Sequence, residues 1–214
     1  MCINNGFSGV NNVNLIFPME RPVFLREVNN NMYTVSAYFW SKIFSELPMS
    51  LLMPILQGVV VYFALGLNMN EWYKFPIFIL SSILCYNAFT GFGYILGTCI
   101  SNKQVSVILT PVLIVPMMLF AGFFVNQDNI PLFLLPIREI AIFKYSFQAY
   151  MINEFTDNNM DCMNDTDPLK SCDPLGDFNS PQSLTYSLCA MVVIWVVFYL
   201  ISFIIMMRLA KKYE

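Results

Sequence analysis

A bundle of membrane-spanning α-helices is the fold class this sequence predicts, and three observations predict it. Hydrophobic residues fill 57% and charged residues 12% of the 214 positions, roughly half the charge density of a soluble domain. The apolar residues fall in blocks approaching the roughly 20 residues that a helix needs to cross about 30 Å of hydrocarbon. Short charged or polar stretches separate the blocks, and a helix satisfies its own backbone hydrogen bonds in lipid. Four full spans plus the end of a fifth are expected. Histidine is absent, which removes the commonest metal ligand and general base.

Residues 1–17 carry no charge but are interrupted by asparagines and Gly6. No basic region precedes them and no small-residue cleavage site follows, so they do not read as a secretory signal. They read as the last turns of a spanning helix, which implies a chain starting partway through a larger protein or a truncated gene model. Residues 18–37 follow as an edge of the membrane. Glu20, Arg21, Arg26 and Glu27 bracket an apolar Pro-Val-Phe-Leu stretch, predicting a short helix flat at the lipid surface with its apolar side inward. Such a helix is well placed to be pushed.

The first complete span is expected over 38–67, kinked by Pro48 and Pro54, whose freed carbonyls neighbouring helices can satisfy. Trp72 and Tyr73 beside Glu71 mark an interface. The second span, 75–100, contains Gly93-x-x-x-Gly97, a spacing that lets another helix approach closely, more often within one bundle than across a dimer. After a turn holding Lys103, the third span covers 105–125 and ends in Met-Met-Leu-Phe-Ala-Gly-Phe-Phe. An external loop is expected over 126–183. Its 130–155 portion is apolar yet carries Arg138, Glu139 and Lys144 near its middle. An intramembrane charge costs at least about 2.5 kcal/mol, so this portion is expected to dip in and return as one or two re-entrant amphipathic helices. The last span is 184–207, stopped by Arg208, Lys211 and Lys212.

Charge orients the bundle. With four crossings, one side holds seven Lys/Arg and four Asp/Glu, the other four Lys/Arg and ten Asp/Glu. The positive-inside tendency makes the first side, with the 18–37 segment and the C-terminus, cytoplasmic. Cys162 and Cys172 then lie outside, where they can close a small disulfide or remain free thiols. Asn164 opens an Asn-Asp-Thr sequon between them and suits N-glycosylation. Cys2, Cys85, Cys99 and Cys189 fall in spans as small packing residues. The outer acids lack a calcium-loop pattern and read as solvated.

Taken in order, Glu20-Arg-Pro-Val-Phe-Leu-Arg-Glu27, Tyr38-Phe39, Lys42, Leu47-Pro48, Tyr62-Phe63, Gly66-Leu67, Phe120-Ala-Gly-Phe-Phe124 and Asn153-Glu-Phe155 resemble one family. They are similar to the membrane domain of G-subfamily ATP-binding cassette transporters. These are White-type half-transporters that export sterols, lipids, pigments and drugs. The resemblance implies an ABC-2 type exporter domain of six spans, of which this chain holds the end of the second and all of the third to sixth. It implies a cytoplasmic coupling helix bearing Glu20, Arg21, Phe24, Arg26 and Glu27, which receives the movement of an ATP-binding domain. It implies an external loop with re-entrant helices, a disulfide and often a glycan.

By the same resemblance, Asn4, Phe7, Val115 and Met118 line a substrate cavity at a dimer axis, with Phe7 stacking on flat cargo. Phe123 and Phe124 take the place of a leucine pair that plugs the path between inner and outer cavities, here with bulkier aromatic rings. Packing between helices is the competing role for each apolar residue. ATP and Mg2+ would sit in a nucleotide-binding domain outside these residues, because no G-x-x-x-x-G-K-[ST] loop occurs here. The implied partners are a second half-transporter, that domain, membrane lipids and a hydrophobic cargo, with no nucleic acid. The implied setting is the plasma membrane or an endomembrane. Two other classes compete: a tetraspanin-type organiser, whose Cys-Cys-Gly loop motif is missing, and an intramembrane enzyme, for which paired carboxylates within a span are missing.

Overall fold

The computed structural model describes residues 1–67, 71–100, 102–119, 135–156 and 183–213, and every element among them is an α-helix. Phe123, Phe124, Cys162, Asn164 and Cys172 lie outside the described residues. The helices are α1 (Cys2–Asn14), α2 (Phe17–Asn29), α3 (Val35–Leu65), α4 (Lys74–Cys99), α5 (Lys103–Leu119), α6 (Leu135–Ile140), α7 (Ile142–Phe155) and α8 (Leu184–Tyr213). Three of them, α3, α4 and α8, are long and apolar enough to cross a bilayer. The third expected span, 105–125, is described as far as α5, whose 17 residues reach about 25 Å at 1.5 Å per residue.

α4 is the pillar. Its most apolar stretch is 56% buried inside the protein, against 22% for α3 and 17% for α8, and α1, α3, α7 and α8 all pack on it. Lipid tails are as apolar as leucine, so close packing and interhelical hydrogen bonds hold these helices together rather than burial alone. At the α1–α4 crossing the backbones touch. A Cβ at Gly93 would lie 2.9 Å from the Val10 carbonyl oxygen, and one at Gly9 would lie 2.7 Å from the Tyr86 carbonyl oxygen. Gly97 instead faces the Phe17 side chain, at 3.1 Å from an added Cβ.

Local sequence sets the helix ends. Pro18 lacks the N–H that would bond the Asn14 carbonyl, so α1 stops at Asn14 and α2 begins with proline in its first turn. α2 ends at Asn30, followed by Asn31 at φ 56. The Asn31 N–H donates to the Val28 carbonyl at 2.9 Å and the Met32 N–H to the Glu27 carbonyl at 3.1 Å, closing the helix with a left-handed cap. α3 starts with the Thr34 hydroxyl accepting from the Ala37 N–H at 3.4 Å.

One expectation changes, and another gains detail. The apolar side of α2 meets protein rather than lipid: Phe17, Phe24 and Val28 are buried in a cluster with Phe39, Tyr94 and Met206. The charges bracketing Pro22 to Leu25 marked an apolar side but not its neighbour. The charges near the middle of 130–155 sit at the break between α6 and α7, where Ala141 leaves helical geometry. There Arg138 and Lys144 both pair with Glu139 at 2.8 Å, so the triad carries one net positive charge instead of three separate charges. Ile142, Phe143, Tyr145 and Ala149 of α7 belong to the main core.

Candidate functional site

α2 is held by a ladder of polar contacts. Tyr33 donates to Glu27 at 2.6 Å, and Tyr38 donates to Glu20 at 3.2 Å. Lys42 lies 2.7 Å from the Glu20 carboxylate and 3.1 Å from Glu46 on its own helix. Tyr94, near the C-terminal end of α4, donates to Glu46 at 2.5 Å. Partial burial and the Glu27 carboxylate push the Tyr33 hydroxyl up to about 12, so it remains a donor throughout the physiological range. The result is an unbroken path of charge and hydrogen bonds from α2 through α3 into α4.

Aromatic rings back this path. Phe24 packs on Tyr38 with centroids 4.5 Å apart, Phe17 meets Tyr94 edge-on at 6.2 Å, and Tyr94 meets Tyr199 of α8 at 5.6 Å. α2 can therefore shift only with the ends of α3, α4 and α8. Its other side is open: Met19 is 63% and Val23 56% exposed, Arg26 is exposed, and hollows lie on either side of Val23.

The expected coupling residues thus divide. Phe24 and Arg21 are buried, Glu20 and Glu27 are bonded to tyrosines, and Arg26 faces outward. The expected cavity residues also divide. Asn4 and Val115 are exposed on α1 and α5, while Phe7 and Met118 are half-buried against the main core. Met118 lines an apolar cavity of about 410 Å³ with Phe78, Phe143 and Tyr150, a cavity that Asn4, Phe7 and Val115 do not line. The four are not gathered on one wall of this protomer.

Three polar constellations escaped the sequence reading. Asn14 donates to the Ser106 carbonyl at 3.2 Å and hydrogen-bonds with the Ser106 and Thr110 hydroxyls, clasping α1 to α5. Lys74, 2% exposed, donates to the Thr156 carbonyl at 2.7 Å, and Asn153 donates to the Lys74 carbonyl at 3.0 Å, tying α7 to the start of α4. The Lys42–Glu46 pair had a local signal in its four-residue spacing; Tyr94 had none. Among the described residues no cluster of His, Cys, Asp or Glu could hold a metal ion, and with no phosphate-cradling loop in the sequence these residues do not fit ATP or Mg2+.

The family profile described as ABC-2 type transporter matches residues 1–155. Among curated proteins, the ABC transporter ATP-binding protein/permease wht-1 of Caenorhabditis elegans is 35% identical over 157 residues, 70% of this chain and 23% of the relative. Protein white of Drosophila melanogaster is 30% identical over 157 residues, covering 73% and 22%. ABC transporter G family member 1 of Dictyostelium discoideum is 26% identical over 150 residues, covering 69% and 19%. The chain spans less than a quarter of the length of these relatives.

Proposed function

Because this chain belongs to the ABC-2 type transporter family and forms part of a White-type, G-subfamily membrane domain, we propose that it is the moving path of a hydrophobic exporter. In this reading two half-transporters meet to build one central cavity, and a lipid, sterol or other amphipathic molecule crosses by alternating access. Differential affinity of the two states for cargo does the moving, and no covalent chemistry occurs in this chain.

The observation that carries the reading is the path from Glu20 through Lys42 and Glu46 to Tyr94. It supports assigning α2 as the coupling helix. The exposed edge formed by Met19, Val23 and Arg26 would receive a nucleotide-binding domain on the cytoplasmic side. A push there tilts α3 and α4 together, because their polar contacts would otherwise break inside a low-dielectric region.

Asn4, Phe7, Val115 and Met118 are the cavity residues in this proposal, and Phe123 with Phe124 the upper plug. A second protomer would bring its own exposed α1 and α5 against the first, so that Asn4 and Val115 line a shared space. The loop with Cys162, Cys172 and Asn164 would face outside, carrying the disulfide and a glycan, and the C-terminus would face the cytosol. Phe7→Ala and Phe124→Ala in the transporter that contains this chain, assayed in vesicles, test the cavity. Loss or altered selectivity of ATP-dependent export is expected; unchanged export of every cargo by both variants removes the assignment.

A further inference from the structure

Lys74 opens α4 and is 2% exposed, closed in by the described helices themselves. Burying a cation is costly unless its donors find acceptors. Its Nζ donates to the Thr156 carbonyl at 2.7 Å and lies 3.8 Å from the Glu71 carboxylate. In return the Asn153 amide donates to the Lys74 carbonyl at 3.0 Å. The two bonds run in opposite directions, each from a side chain on one helix to the backbone of the other.

Both bonds fall at the end of α7. The last carbonyls of a helix have no partner within it, the last turn of α7 holds no basic residue, and Glu154 there has the wrong sign for the helix dipole. Lys74 supplies from another helix the cation and donor that the end of α7 lacks in its own sequence. Further into the bundle, the Tyr150 hydroxyl hydrogen-bonds with Ser82 of α4 at 2.8 Å, and its ring packs on Phe78 with centroids 4.9 Å apart. α7 is thus fastened to α4 at two levels.

Tyr94, which holds Glu46, stands about 30 Å from Lys74 along the same helix at 1.5 Å per residue. Beyond Pro76 in its first turn α4 contains no proline, in contrast to α3 and α5, so it lacks their main cause of kinking. A movement arriving at Tyr94 is carried to Lys74. α7 in turn gives Phe143, Phe147, Tyr150 and Phe155 to the apolar cavity of about 410 Å³. We propose that Lys74 is a positioning residue for transport: it latches α7 to α4, so that the cavity wall formed by α7 follows the pillar in each cycle. This rests on the export reading and extends it from the α2 end of α4 to the opposite end.

The test uses the full transporter that contains this chain, reconstituted in vesicles, and two measurements. Amide hydrogen exchange over 152–156, where the Thr156 N–H donates to the Ile152 carbonyl, reads the latch without requiring export. Cargo moved per ATP hydrolysed reads its use. Lys74→Met keeps the reach of the side chain and removes the cation. Exchange over 152–156 is expected to quicken several-fold with α1 and α2 unchanged, and cargo per ATP to fall several-fold while ATP hydrolysis continues. Lys74→Arg should restore part of both. Asn153→Leu, which cuts the return bond and leaves the cation in place, should give a smaller change of the same kind, and it carries the test if Lys74→Met does not fold. Unaltered exchange in α7, or normal cargo per ATP despite faster exchange, overturns the latch. Absence of ATP-dependent export from the unaltered transporter overturns the export reading and the use of the latch with it, while the exchange measurement still decides whether Lys74 fastens α7.

Discussion

Asn14 fills its hydrogen-bonding capacity across the α1–α5 contact, to the Ser106 carbonyl and to two hydroxyls. It is 1% exposed, so water does not replace a lost partner. Asn14→Leu is expected to lower stability by about 1–2 kcal/mol, the range of interhelical hydrogen bonds in membranes, read from unfolding in mixed micelles. Thr110→Val on that background should cost little more, because the two act as one unit. Glu139 makes a pH-dependent counterpart. Partial burial opposes its ionisation, but hydrogen bonds from Lys144 and Arg138 outweigh this and hold its carboxyl below its ordinary value. A lowered folded-state value gives stability that is present above the unfolded value and lost as pH falls through the folded one. Glu139→Gln should therefore lower Tm at neutral pH, and the gap to the unaltered protein should close only at acidities beyond the ordinary carboxylate range. A gap independent of pH would count against the ion pair.

Among the elements, the α1–α4 crossing is the least forgiving. Beside Gly93 stands the Val10 backbone, at 2.9 Å from an added Cβ, whereas Gly97 faces the Phe17 side chain at 3.1 Å. At 3.1 Å from the Phe17 Cβ the neighbour need give only a few tenths of an ångström, whereas the approach to the Val10 carbonyl oxygen is closer than real Cβ atoms show. Gly93→Val is therefore expected to abolish the folded species in detergent chromatography, while Gly97→Ala leaves it largely intact; equal tolerance would mean the helices are free to separate. The sequence reading reached this contact partway, since the Gly-x-x-x-Gly spacing marked a close approach, but nothing in it named α1 as the visitor. The same boundary runs through α2. Its apolar side was readable at Phe24, inside the stretch that the charges bracket, yet Phe17, Tyr94 and Met206 as its neighbours required tertiary structure. Apolar blocks report length and depth well because lipid imposes both. They report rotation poorly, since lipid and a neighbouring helix are alike in polarity, which is why Phe7 could be placed on a helix but not on a face.

Across the whole molecule, the question is whether movement at α2 reaches the pillar through packing or through the polar ladder. Both are present: Phe17 meets the ring of Tyr94 and Phe24 that of Tyr38, and Lys42 joins two carboxylates, the second of which Tyr94 holds. Tyr94→Phe separates them, because it keeps the ring and removes only the bond to Glu46. If packing alone transmits, the variant should export normally. If the ladder transmits, folding should be near normal, with a stability change within about 1.5 kcal/mol for one hydrogen bond, while cargo-stimulated ATP hydrolysis in the transporter containing this chain falls well below the unaltered level. Lys42→Met should give the same uncoupling, but with a larger stability loss, because Glu20 and Glu46 are then left facing each other without the cation between them. In the double variant the two uncoupling effects should not add, since both cut one path. Additive losses would place Lys42 and Tyr94 on separate routes and leave the aromatic cluster as the transmitting element.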